Sequence, residues 1–204
     1  MADNKEKIII GNCSGFYGDR LSAARDMVDG GPIDVLTGDY LAELTMTILY
    51  NQKMKRGDDQ GYVGTFLKQF KDVAVSCQEQ NIKIVTNAGG LNPSSMAEKI
   101  EEIIQELNLN LKVAYIDGDD LIPRIEELKE ADEPLANIEK GNSLHDYSKK
   151  PLTANAYFGA WGIKEALDAA ADVVVCPRVT DAAVVIGPAA WKYNWSRDNY
   201  DALA

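Results

Sequence analysis

Five short apolar runs rich in β-branched residues, separated by stretches of helical periodicity, set the strongest limit on how this chain can fold. The runs are Ile8-Ile9-Ile10, Ile33 to Leu36, Ile82 to Thr86, Leu111 to Ile116 and Val173 to Cys176. They are apolar almost throughout instead of alternating, the pattern of strands buried on both faces. Between them, Leu21, Ala24, Met27 and Val28 make one helical stripe, and Leu41, Leu44, Ile48 and Leu49 a second. Val63, Phe66, Leu67, Phe70, Val73 and Cys77 make a longer third. Met96, Ile100, Ile103, Ile104 and Leu107 make a fourth, opened by Pro93 and a Ser95-x-x-Glu98 capping box. Shorter helices are predicted from Leu121 to Glu130 and from Ile163 to Ala170. Such alternation means βαβ units with right-handed crossovers. The predicted fold is a single α/β domain over residues 1–204, a mostly parallel sheet with helices on both faces. An α/β barrel is the alternative, because alternation alone does not separate it from an open sheet. Residues 131–150 lose periodicity, gain turn residues and read as an irregular loop.

Charge narrows the partners. Lysine and arginine number 21 against 32 acidic residues, a formal net charge of −11. That balance argues against a nucleic-acid backbone or an anionic membrane, and leaves room for a local basic pocket around a small anion. The polar start, Met1 to Lys7, has no signal-peptide core, and no apolar run reaches membrane-spanning length. Cys13, Cys77 and Cys176 are odd in number and far apart, which gives neither a disulfide framework nor a zinc spacing. A reducing cytoplasm is the expected compartment, and nothing in the residues calls for a cofactor. The aromatic residues from Trp191 to Tyr200 read as core or interface material, and a homo-oligomer is expected.

The segments at the strand ends carry the functional expectation. They are Gly11 to Arg20, Thr37 to Glu43, Asn87 to Pro93, Asp117 to Asp120 and Pro177 to Asp181. In a parallel sheet all five lie outside the carboxyl ends of the strands, where open α/β folds bind ligands. The expected substrate-binding residues are Asn12, Ser14, Gly15, Asp19, Arg20, Asn87, Gly89, Gly90, Asn92, Asn155, Arg178 and Asp181. Asp39 and Glu43 are the candidate general bases. Arg20 and Arg178 either clamp an anion with the guanidinium fork or pair with Asp19 and Asp181. Asp117, Asp119 and Asp120 either hold a magnesium or calcium ion or form a turn and helix cap. Cys13 could be a nucleophile, but the single histidine, His145, lies in the irregular loop, so Cys13 and Cys176 read as small buried residues. Gly11-x-x-x-Gly15-x-x-Gly18 does not have the spacing of a dinucleotide fingerprint.

Several of these loops are recognisable as motif blocks. Gly11 to Arg20, Asp39 to Thr45, Thr86 to Pro93, Gly118-Asp119-Asp120, Asn155 to Trp161 and Arg178 to Ala182 together resemble the acyclic terpene utilisation (AtuA-like) family. The resemblance runs in order from about Ile8 to Ala204. It implies catabolism of citronellol- and geraniol-type compounds through branched acyl-CoA intermediates. A lyase or hydratase acting on a branched 3-hydroxyacyl-CoA is the step it implies. It transfers no catalytic residue, so the site residues rest on the loops themselves. Family members extend further, so the chain is expected to be the amino-terminal part of a longer AtuA-like protein.

Three functions compete. The first is an enzyme acting on a small anionic substrate such as a CoA ester. The second is a non-catalytic binding or assembly subunit, which a sparse acid–base complement favours. The third is a nucleotide-dependent oxidoreductase, supported by the generic fold alone.

Overall fold

Five strands form one sheet in the order β1-β2-β3-β5-β4, and every neighbouring pair is parallel. They are β1 (Ile10–Asn12), β2 (Val35–Gly38), β3 (Lys83–Thr86), β4 (Val113–Tyr115) and β5 (Val173–Val175). The structure is a computed structural model that describes residues 7–131, 133–146 and 149–204. β1 and β4 do not pair with each other, so the sheet is open and the barrel alternative falls. Register is set by Ile10 opposite Val35, Leu36 opposite Ile84, and Val85 opposite Val174.

Alternation within the strands builds two cores. Leu36, Ile84, Val173 and Val175 face one side. There they meet α1 (Ala23–Asp29), α2 (Glu43–Arg56), α3 (Gly64–Gln80) and α4 (Pro93–Glu106) through Val28, Leu49, Phe66, Phe70, Met96 and Ile100. Val35, Val85 and Val174 face the other side. A 3-10 turn (Ile122–Arg124) and α5 (Ile125–Glu130) come after β4, and α6 (Trp161–Asp168) and α7 (Ala183–Lys192) cover this second face through Ile163, Leu167 and Val184. A last turn of helix, α8, spans Tyr200–Leu203. Each fully buried Val, Leu or Ile side chain contributes roughly 1.5–3 kcal/mol relative to exposure. That is why β2, β3 and β5, apolar on both faces, occupy the middle of the sheet.

Several sequence expectations shift here. β1 and β4 are edge strands and only partly buried, although their sequences are as apolar as the central ones. Leu21 precedes α1 and Leu44 sits on the outer face of α2, both exposed, because α2 turns Thr45, Met46 and Leu49 inward. The cap of α4 is Asn92, whose side chain accepts from Ser95 N at 3.3 Å, and not Ser95. Pro123 helps split the predicted Leu121–Glu130 helix into the 3-10 turn and α5. Helix α7 was not expected, since Gly187 and Pro188 interrupt its pattern. A Cβ on Gly187 would lie 2.5 Å from Ile163 Cγ2, so the glycine lets α6 and α7 meet. All three cysteines are buried, and burial pushes their thiols up, Cys77 to about 12. They are unsuited to nucleophilic work.

Within 131–150 the described residues hold turns and a 3-10 turn at Leu144–Asp146; Asp132, Tyr147 and Ser148 lie outside the described residues. No helix among the described residues is long and apolar enough to cross a membrane.

Candidate functional site

Strand order decides where a ligand can sit. The connections from β1 to β2, β2 to β3 and β3 to β4 carry α1 to α4 over the first core, whereas α6, before β5, and α7, after it, pack on the second. β3 and β5 are neighbours. The chain therefore leaves them toward opposite faces, and the crevice at such a switch point is the ligand position of open α/β sheets.

The loops after β3 and β5 fill that crevice with polar groups. Asn87 is fully buried; its Nδ2 donates to Asp39 Oδ1 at 2.5 Å and its Oδ1 accepts from Tyr40 N at 2.8 Å. Burial pushes the Asp39 carboxyl up, partly offset by the Asn87 bond, while the negative charge of Asp181 raises it further.

Arg178 is 5% exposed. Its Nη1 donates to Leu41 O at 2.8 Å and its Nη2 to Tyr157 Oη at 3.0 Å, with the guanidinium carbon 4.3 Å from the Tyr157 ring centre. Its carboxylate partners are more distant, Asp181 at 3.4 Å and Glu43 at 3.6 Å, and both are largely exposed. The hydroxyl of Tyr157 also bonds Glu43, and that bond is the main reason the Glu43 carboxyl is held below its ordinary range.

One buried carboxylate ties the wall together. Asp119 Oδ2 accepts from Asn155 Nδ2 at 2.8 Å and from Arg178 N at 3.2 Å, while its carbonyl accepts from Ala156 N. The loop after β4, the loop after β5 and the segment 151–160 are thereby fixed to one another. Burial pushes the Asp119 carboxyl up. Asp120 instead accepts from Ile122 N, starting the 3-10 turn. Among the described residues no three His, Cys, Asp or Glu side chains are placed together to hold a metal ion.

Two of the cavities at this edge are lined by predicted catalytic or substrate-binding residues. One, about 250 Å³, is lined by Glu43, Met46, Thr47, Thr153, Asn155, Tyr157 and Arg178. The other, about 280 Å³, is lined by residues including Asn12, Ser14, Gly15, Asp19, Arg20 and Asp26. They share no lining residue.

In the second cavity most polar groups hold the loop. Asp19 accepts from Gly15 N and Arg20 N, which keeps its carboxyl low, and Ser14 Oγ donates to Phe16 O. Arg20 is exposed and paired with Asp26 at 3.1 Å. α1 begins at Ala23, well after the end of β1 at Asn12, so no helix start abuts the strand as dinucleotide binding requires.

Of the predicted site residues, Glu43, Asn155 and Arg178 line the first cavity, with Asp39, Asn87 and Asp181 packed around the same crevice. Gly89, Gly90 and Asn92 sit elsewhere in the loop. A Cβ on Gly89 would lie 2.6 Å from Cys176 O, and one on Gly90 2.4 Å from Leu49 Cδ1. Asn92 caps α4 and donates to Asp58 O and Gln60 O. Tyr157, Met46, Thr47 and Thr153 line the cavity and were not singled out. Tyr157 stands in one of the motif blocks, which was the available signal.

The profile described as acyclic terpene utilisation family protein AtuA matches residues 8–204. The chain belongs to that family. The AtuA match covers all five strands and every residue lining the two cavities. Neither curated proteins nor solved structures give a match.

Proposed function

We propose that this AtuA family member binds the anionic or thioester end of an acyl substrate at the crevice between β3 and β5, and acts as a lyase or hydratase on a branched 3-hydroxyacyl-CoA. The observation that carries the reading is the state of Arg178. Its close partners, Leu41 O and Tyr157, are neutral, and its counter-ions are exposed and 3.4–3.6 Å away. A buried charge so loosely compensated gains from a carboxylate, phosphate or polarised carbonyl that brings charge-assisted bonds.

Dehydration requires a base to take the proton from Cα while the Cα–H electrons form the double bond. The Cβ hydroxyl then leaves as water after accepting a proton. Asp39 fits the proton-carrying role best, because it sits at the crevice, bonded to Asn87, and burial raises its affinity for a proton. Glu43, held low by Tyr157, stays ionised and serves as the exchangeable counter-ion of Arg178. The test is to track enoyl-thioester absorbance with a branched 3-hydroxyacyl-CoA. Asp39→Asn should lower turnover by about 10²–10⁴-fold, and Glu43→Gln far less. Equal turnover in wild type and Asp39→Asn rules out Asp39 as the proton carrier.

A binding subunit is the second reading. His145, the only histidine, lies on the exposed Leu144–Asp146 turn and lines neither cavity. Saturable binding of the thioester without any turnover would favour it.

A further inference from the structure

The first cavity continues along one face of α2. Glu43, Met46, Thr47, Tyr50, Lys53 and Met54 fall at helical spacing and line two hollows: the first three, with Met46 buried at the base, line the cavity at Arg178, and the last three an adjoining hollow of about 180 Å³. Thr153 lines both. Opposite α2, Leu152, Thr153, Asn155 and Tyr157 form the other wall in the reverse direction. From Glu43 to Met54 the helix rises about 16 Å, so the two hollows make one long groove.

Its ends differ chemically. The Arg178 end is polar. The far end gathers Met54, 68% exposed, with Leu152 and Ile122, also exposed, and the side chains of Tyr50 and Leu91, while Lys53, Asp58 and Asp120 line the same hollow. Apolar side chains left in water this way, gathered in one hollow, mark a binding surface. The buried arginine at one end and the apolar hollow at the other match a single amphipathic molecule.

We infer that this groove is the tail subsite of the acyl substrate: the acid or thioester end meets Arg178, the aliphatic chain lies along α2, and Met54, Leu152 and Ile122 set the preferred chain length. The inference rests on the proposed function for its head-group end. Free acid and CoA thioester share the chemistry, and separate titrations distinguish them.

The experiment is a binding titration of the whole chain with butanoate, hexanoate, octanoate and decanoate, and with the corresponding CoA thioesters. Affinity should rise about two- to fourfold per added methylene, the range expected when a chain is partly to fully buried. Met54→Lys and Leu152→Asp should flatten that slope, whereas Val75→Lys, an exposed position on α3, should keep it. Butanoyl ligands binding with no chain-length slope would overturn the tail subsite and leave the Arg178 reading standing. No binding by any acid or thioester would overturn both. If Met54→Lys changes oligomeric state by light scattering and keeps the slope, the patch is a protein interface and the inference fails.

Discussion

The guanidinium of Arg178 stacks on the ring of Tyr157, 4.3 Å from its centre, and donates to its hydroxyl at 3.0 Å. One aromatic residue from the 151–160 segment thus covers a buried cation while linking it to Glu43 on α2. Tyr157→Phe keeps the ring and removes the link. The Glu43 carboxyl should then titrate closer to its ordinary 4.5 by NMR, with a stability loss of about 0.5–1.5 kcal/mol. Tyr157→Ala should lose roughly 0.5–2 kcal/mol more, the cation–π contact. An unchanged Glu43 titration in Tyr157→Phe contradicts the link.

Asp119 should matter more to the fold than any other carboxylate at this edge. Replacing it by Ala leaves Asn155 Nδ2 and Arg178 N without their buried acceptor. A loss of about 2–4 kcal/mol by urea denaturation is expected, and Asn155→Ala should lose less. Equal losses would mean that the Asp119–Arg178 bond contributes nothing.

The glycines of the strand-end loops should separate by role. Gly90 has φ +56° and no room for a Cβ beside Leu49 and Gly61 O, so Gly90→Ala should lose more than about 1 kcal/mol. Gly15 has nothing within 4 Å of a Cβ, and Gly15→Ala should fold like wild type. Thermal melts of the two variants settle the comparison, and a larger loss at Gly15 contradicts it.

Much of the architecture was readable because strand burial and helix stripes are local patterns. Val35-Leu36, Ile84-Val85 and Val173 to Val175 announce a buried parallel sheet in their composition alone. Strand order was not readable. That β5 inserts between β3 and β4 depends on which helix covers which face, and it is this insertion that makes the crevice at Arg178. The same limit applied to individual side chains. Asn87 and Asn92 look alike in the Asn87–Pro93 loop, yet one bonds Asp39 and the other caps α4. The α2 stripe facing the groove went unseen because it mixes Glu, Thr, Lys and Met, while the stripe that reads as apolar includes the exposed Leu44.

Proton linkage gives a prediction for Asp39. Its folded pKa is raised above the unfolded 3.8, so its contribution to stability is complete below 3.8 and is lost as pH rises through the folded value. Asp39→Asn removes that loss. Urea midpoints compared between about pH 3 and pH 7 should show the variant gaining on wild type above about pH 4, then running parallel. A variant that falls behind as pH rises would show that the carboxylate is stabilised by the fold.

Binding of a 3-hydroxyacyl-CoA to Arg178→Lys and Arg20→Lys, measured by calorimetric titration beside wild type, tests the placement of the anionic end most directly. Lysine keeps the charge and removes the fork. Arg178→Lys should bind at least tenfold more weakly, the loss of one charge-assisted bond of roughly 1.5–3 kcal/mol. Arg20→Lys, in the other cavity and already paired with Asp26, should bind like wild type. Wild-type affinity in Arg178→Lys, or a loss confined to Arg20→Lys, would contradict the account.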